Sequence, residues 1–150
     1  MKPSPFAAAF YKGTRPGLAG LYNRAVRAWE KGEYSHCELV FRHGQSGSSS
    51  FEDGGVRLKA IDYDPARWDM IPLPDYLEAR ALDWFDRHRG AGYDLAGNLH
   101  LVVGFIPQSR PRKFCSEAVG EALGLPEAWR FGPNALYTAL RFAFPITVGR

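Results

Sequence analysis

The sequence predicts an α+β fold, a small antiparallel sheet packed against amphipathic helices, and three observations predict it. Residues 34–41, 56–61 and 68–73 alternate as strands and are separated by turn-rich stretches, the signature of hairpins. Residues 16–31, 75–89 and 115–123 instead repeat their apolar side chains at helical spacing. The chain has 150 residues, 45% apolar and 14% aromatic, which suits one domain over 1–150 with one sizeable core.

In order along the chain, residues 6–11 read as a short strand and Lys12-Gly13-Thr14 as a turn. Over 16–31 the side chains Leu18, Leu21, Tyr22, Ala25, Val26 and Trp29 make a helical stripe, with Pro16 suited to the first turn and Gly32 to the stop. Arg24, Arg27 and Lys31 line the other side, a solvated face or a contact for an anionic partner. In the strand 34–41, period two sets Cys37, Leu39 and Phe41 on one face and Tyr34, His36, Glu38 and Val40 on the other. The first set is core, which makes Cys37 a packing residue. The second places an imidazole and a carboxylate side by side, about 7 Å apart along the strand.

Residues 44–50 are turn-rich, and their serines run into a short strand before the Glu52-Asp53-Gly54-Gly55 turn. Strands over 56–61 and 68–73 follow, closed by Pro72 and Pro74. The helix over 75–89 carries Leu77, Ala81, Trp84, Phe85 and His88 on one face, His88 being its polar end. After the Gly90-Ala91-Gly92-Tyr93 loop, Asp94 is placed to cap a helix through Leu95, Leu99, Val102 and Val103. A basic loop over 107–113 feeds the helix that starts at Cys115 and stops at Gly124 and Pro126, and a last helix spans 133–140.

Cys115 begins its helix, where backbone N–H groups lack intrahelical acceptors. These groups, the helix dipole and the cations Arg110, Arg112 and Lys113 favour the thiolate. The plainer alternative is a small buried residue at a helix start. A cysteine hydrolase needs a thiolate, an imidazole that protonates the leaving group, a group that orients the imidazole and donors for the oxyanion. Cys115, His36, Glu38 and the helix N–H groups offer all four.

The pieces Tyr34-Ser35-His36-Cys37-Glu38-Leu39-Val40, Gly92-Tyr93-Asp94 and Phe114-Cys115-Ser116-Glu117 resemble the circularly permuted branch of the NlpC-type papain-like superfamily. This is the YiiX-like group, to which the lecithin-retinol acyltransferase-like enzymes are related. In that branch the histidine strand precedes the cysteine helix, as it does here. The resemblance implies a permuted papain-like fold, with a small antiparallel sheet on the nucleophile helix. It also implies hydrolysis or transfer at an amide or ester carbonyl, of a peptide or cell-wall amide or of a lipid acyl group, without a cofactor. Family members take the third polar group near the histidine or from the next strand, here Ser48, Ser50, Glu52 or Asp53. Glu38 shares a face with His36 and is preferred, while Ser50 or Asp53 remains open for that role. Tyr34, Ser50, Asp53 and Tyr93 are the expected substrate contacts.

The alternative function is a non-catalytic lipid- or anion-binding domain using Arg24, Arg27, Arg110, Arg112 and Lys113. Net charge is +3, from 19 basic against 16 acidic residues, with a pI near 9.0, a mixed surface that calls for no nucleic acid partner. Cys37 and Cys115 lie outside CxxC spacing, and His36, His43, His88 and His100 lack paired metal-ligand spacing, so no metal is expected. The apolar run at 6–10 is too short for a signal sequence or a membrane span, and a cytoplasmic location is expected.

Overall fold

The computed structural model describes residues 5–92 and 113–145, apart from the side chains of Leu18, Ala19 and Tyr22. The expected contact Tyr93, the Asp94-capped helix, His100, Arg110 and Arg112 lie outside the described residues.

The described chain is α+β. Its strands are β1 (Ala7–Tyr11), β2 (His36–Val40), β3 (Ser46–Ser50), β4 (Gly55–Lys59) and β5 (Trp68–Pro72). They form one sheet in the order β4-β3-β2-β1-β5, with every neighbour antiparallel. Its α-helices are α1 (Gly17–Glu30), α2 (Glu78–His88), α3 (Cys115–Ala122) and α4 (Pro133–Ala143). The last runs one turn past the expected 140.

Alternation along the strands divides the sheet into two faces. The inner face carries Phe6, Ala8, Phe10, Cys37, Leu39, Phe41 and Ile71, which join Trp84 and Phe85 of α2, Val119 of α3 and Leu136 of α4 in the main core. The outer face carries Ala9, Tyr11, Val40 and Trp68, a smaller cluster with Tyr63 against it. α3 crosses the inner face over β2 and β3, so the first turn of this helix meets the end of β2 where His36 stands.

A strand of serines in the middle of a sheet is unusual, and local needs explain β3. Gly47 faces the Phe85 ring so closely that a Cβ there would lie 2.7 Å from it. The buried hydroxyls find acceptors or donors: Ser48 donates to Cys37 O at 2.6 Å, Ser49 donates to Lys113 O, and Ser46 accepts from the Tyr63 hydroxyl at 2.8 Å.

α1 forms where its stripe predicts a helix; among its described side chains Leu21 is 65% and Trp29 55% exposed, and polar hooks hold the helix to its surroundings. Arg27 donates to Lys12 O at 2.8 Å and to the Thr14 hydroxyl at 2.6 Å, and Asn23 accepts from Arg15 N–H at 3.3 Å. One expectation is corrected: Tyr34 leaves the face of His36. Strand pairing begins only at His36, and Tyr34 turns inward against Phe10 and Tyr137, with ring centroids 5.5 and 4.5 Å away.

Candidate functional site

β2 opens on His36 and aims it outward with Glu38, and the two side chains meet: His36 Nε2 lies 2.6 Å from Glu38 Oε1. Across the sheet, His36 pairs with Tyr11 and Tyr11 with Trp68, so one row of side chains backs the imidazole. The Trp68 ring stands edge-on to it, 6.3 Å between centroids. In the next row Glu38 pairs with Ala9, whose small side chain leaves the carboxylate its space.

Glu38 is fully buried. A lone carboxylate there would cost several kcal/mol, and the compensation comes from two strands away. Arg57 on β4 pairs with Ser48 of β3 and reaches over that small residue, donating from Nη1 to Glu38 Oε2 and from Nη2 to Glu38 Oε1, each at 2.6 Å. Arg57 Nε in turn donates to Asp53 at 2.8 Å, and Lys59 Nζ donates to the same carboxylate at 2.7 Å. Burial pushes the Glu38 carboxyl up, but the hydrogen bonds and charges of Arg57 and His36 outweigh it, and the group sits below its ordinary value.

Cys115 is the other group that acts on the His36 ring. The thiol begins α3 after an extended Phe114 (φ −97°, ψ 171°), and no side chain caps that helix end, so its first N–H groups remain without side-chain acceptors. Cys115 is held well below the ordinary thiol value by a hydrogen bond from the Cys37 thiol. Burial opposes this, and the hydrogen bond and charge of His36 and a bond from the Cys37 backbone N–H add to it. For His36, burial works against the charge, yet the Glu38 carboxylate and the Cys115 sulfur win and raise it to about 9. The lowered thiol and the raised imidazole both favour the thiolate–imidazolium form of the pair. With Nε2 committed to Glu38, Nδ1 is the nitrogen left for the sulfur.

His36 and Glu38 meet side chain to side chain, and Cys115 is among the groups that raise the imidazole. Ser50 is buried at the end of β3 opposite Gly55, and Asp53 binds Arg57 and Lys59, so neither takes the place of Glu38 beside the ring. Tyr34 donates its hydroxyl to Asp69 at 2.7 Å and borders an open groove of about 600 Å³ that Glu30, Glu33, Asn134 and Tyr137 also line. Lys113 does not support the thiolate. Its ammonium lies 3.1 Å from Glu117 and 2.7 Å from Glu121, acids of the helix that follows it.

Three contributors were not foreseen. Arg57 stood on a partly alternating strand, but its reach over β3 depends on register and on the small Ser48 between. Cys37 faces away from His36, as a packing residue does, and the face it turns to is the one α3 crosses. Asn134 lies 100 residues from Tyr34, yet its amide accepts from Tyr34 N–H and donates to Tyr34 O, both at 2.8 Å, and also donates to Glu30. It fixes the backbone that delivers His36.

Among the described residues no group of three or more His, Cys, Asp and Glu is arranged to hold a metal ion, and no helix is long and apolar enough to cross a membrane. Comparison of the chain with protein-family models gives no match, and comparison with curated proteins gives none either.

Proposed function

We propose that the protein is a cysteine hydrolase on a permuted papain-like domain, acting on an amide or ester carbonyl through an acyl-enzyme. The observation that supports it most is the buried His36–Glu38 pair, 2.6 Å apart, whose imidazole lowers the thiol of Cys115 at an uncapped helix start. The order of β2 before α3 is the order of the permuted branch.

In this reading the Cys115 thiolate attacks the carbonyl carbon, and the oxyanion is met by N–H groups of the first turn of α3. The His36 imidazolium gives its proton to the departing amine or alkoxide, and as neutral imidazole it then takes a proton from the water that cleaves the thioester. Glu38 holds the ring through Nε2 and favours its charged form, and Arg57 keeps Glu38 ionised. The substrates that fit this chemistry are a peptide or cell-wall amide and a lipid acyl ester.

The binding-only alternative relied on a free set of cations. Among the described residues, Arg27 is engaged in closing the β1–α1 connection and Lys113 pairs with the acids Glu117 and Glu121 of α3, so these two cations do not support that reading. The test is to mix the protein with an activated acyl ester and with a stem-peptide amide, quench in acid and measure intact mass. An acyl adduct on Cys115 that Cys115→Ala lacks, with turnover of one substrate class, is the expected result. A thiol that alkylates readily but forms no adduct and turns over neither class would overturn the proposal.

A further inference from the structure

α1 is turned the opposite way from α2, α3 and α4, which bury their apolar stripes. At about 100° per residue, Asn23, Arg27 and Glu30 share one side of the helix, and that side faces the protein. Asn23 is buried and accepts from Arg15 N–H, Arg27 donates to Lys12 O and to the Thr14 hydroxyl, and Glu30 accepts from Asn134. Leu21, Ala25, Ala28 and Trp29 share the opposite side, and all four are exposed. Among the described residues, no side chain of α1 belongs to either apolar cluster. Scattered apolar residues on a surface need no account. Four on one side of one helix, with the polar side turned inward, mark an interaction surface.

We propose that this face of α1 docks on the surface of an anionic lipid bilayer. Charge argues for that occupant. Arg24 and Lys31, seven residues apart along the border of the apolar stripe, are exposed and take part in no ion pair among the described residues. The one acid of α1, Glu30, is on the inward side, bound to Asn134. A helix that lies in a membrane interface has this pattern: Leu and Trp enter the boundary between headgroups and acyl chains, and Arg and Lys meet lipid phosphates. A second copy of the chain would bring the same two cations to the contact and no acid of α1 to meet them. The helix lies on the bilayer and does not cross it, because its 14 residues extend about 21 Å and the hydrocarbon core is about 30 Å thick. The polar bonds of the inward side hold α1 in place, so its apolar side is left for the lipid. Lys31 also lines the open groove beside Tyr34, and docking sets that groove close to the bilayer. The inference does not depend on the reaction at Cys115.

The experiment floats the full chain with vesicles of phosphatidylcholine alone and of phosphatidylcholine mixed with phosphatidylglycerol. The expected result is recovery with the mixed vesicles, binding to phosphatidylcholine alone that is weaker by about tenfold or more, and partial release by salt. Leu21→Glu and Trp29→Glu, both at exposed sites, should each weaken binding to the mixed vesicles by about tenfold or more, and Arg24→Glu combined with Lys31→Glu should do the same. Tyr76→Glu, at an exposed aromatic on the turn before α2, adds the same charge elsewhere and should leave binding unchanged. Wild-type protein that floats with neither kind of vesicle overturns the proposal, and that measurement needs no variant to fold. Equal binding to both kinds of vesicle, or an equal loss in Tyr76→Glu, overturns it as well. Light scattering from the free protein reads the other occupant: a dimer that Leu21→Glu dissociates, with no vesicle binding, gives the face to a second copy and overturns the proposal.

Discussion

At His36, burial and neighbouring charge pull in opposite directions, and the charge wins. The proton that makes the ring an acid is held to about pH 9, while the Cys115 thiolate persists to well below the ordinary thiol range. Turnover should therefore rise with pH through the lowered Cys115 value, stay flat across neutrality, and fall above pH 9 as the general acid is lost. Alkylation of Cys115 by iodoacetamide should show the rise without the fall, since the thiolate outlives the imidazolium. His36→Ala should move that rise toward the ordinary thiol value, and coincident profiles in the two proteins would refute the ion pair. The same shift carries a stability term. A histidine raised from 6.5 to about 9 contributes stability that is complete below about pH 6.5 and is lost as pH climbs through 9. Glu38, lowered from 4.5, contributes above about pH 4.5 and loses its share as pH falls through the lowered value. Thermal melts across pH should show both limbs, with the alkaline one flattened in His36→Ala. Glu38→Gln keeps an acceptor for the ring but removes its charge, so turnover should drop by about 10²-fold or more. Arg57→Met strands the buried carboxylate and should cost about 3–5 kcal/mol of stability in a denaturant titration. Asp53→Asn, acting on Arg57 from the more exposed side, should cost under about 1 kcal/mol.

At the scale of elements, the site depends on how β2 is entered. Tyr34 precedes the strand, and its N–H and C=O would lack a regular partner were it not for the Asn134 amide on the first turn of α4. Glu30, at the end of α1, accepts from Asn134 N–H at 3.2 Å and from its side chain, so α1, the approach to β2 and α4 are tied at one residue. Asn134→Ala breaks these side-chain bonds and leaves buried backbone groups unpaired, which should cost roughly 2–4 kcal/mol. Because the clamp lies two residues before His36, it should also reduce turnover at pH 7 in protein that remains folded. Unchanged stability and turnover in that variant would show that strand pairing from His36 onward suffices. The helix stripes at 75–89, 115–123 and 133–140 were legible because each buries an apolar face: Ala81, Trp84 and Phe85, then Ala118, Val119 and Ala122, then Leu136 and Leu140 are all buried. The stripe of α1 also marked its helix, although Leu21 and Trp29 are exposed and polar hooks on Arg27 and Asn23, which periodicity does not register, hold it in place.

Across the whole molecule, β1 sits between β2 and β5, while β3 sits between β2 and β4. This order sets Glu38 two strands from Arg57, and it makes β3 a bridge that must stay small. Gly47 meets Phe85 on one face of that strand and Ser48 passes the guanidinium on the other. Gly47→Ala should therefore force the Phe85 ring aside and lower stability by about 1–3 kcal/mol in thermal or denaturant unfolding. A variant as stable as the wild type would mean that the ring has room to move. The sequence by itself determined the type and approximate ends of the described strands and helices, the start of a helix at Cys115, and the shared face of His36 and Glu38. Those are properties of the backbone repeat, which is local and shows in side-chain spacing. Only the tertiary structure decided that Arg57 two strands away pairs with Glu38, that Lys113 pairs with Glu117 and Glu121, and that Tyr34 turns inward. The first and last of these depend on strand register and on which face a distant helix covers, and such contacts across 19 to 100 residues leave no period in the sequence.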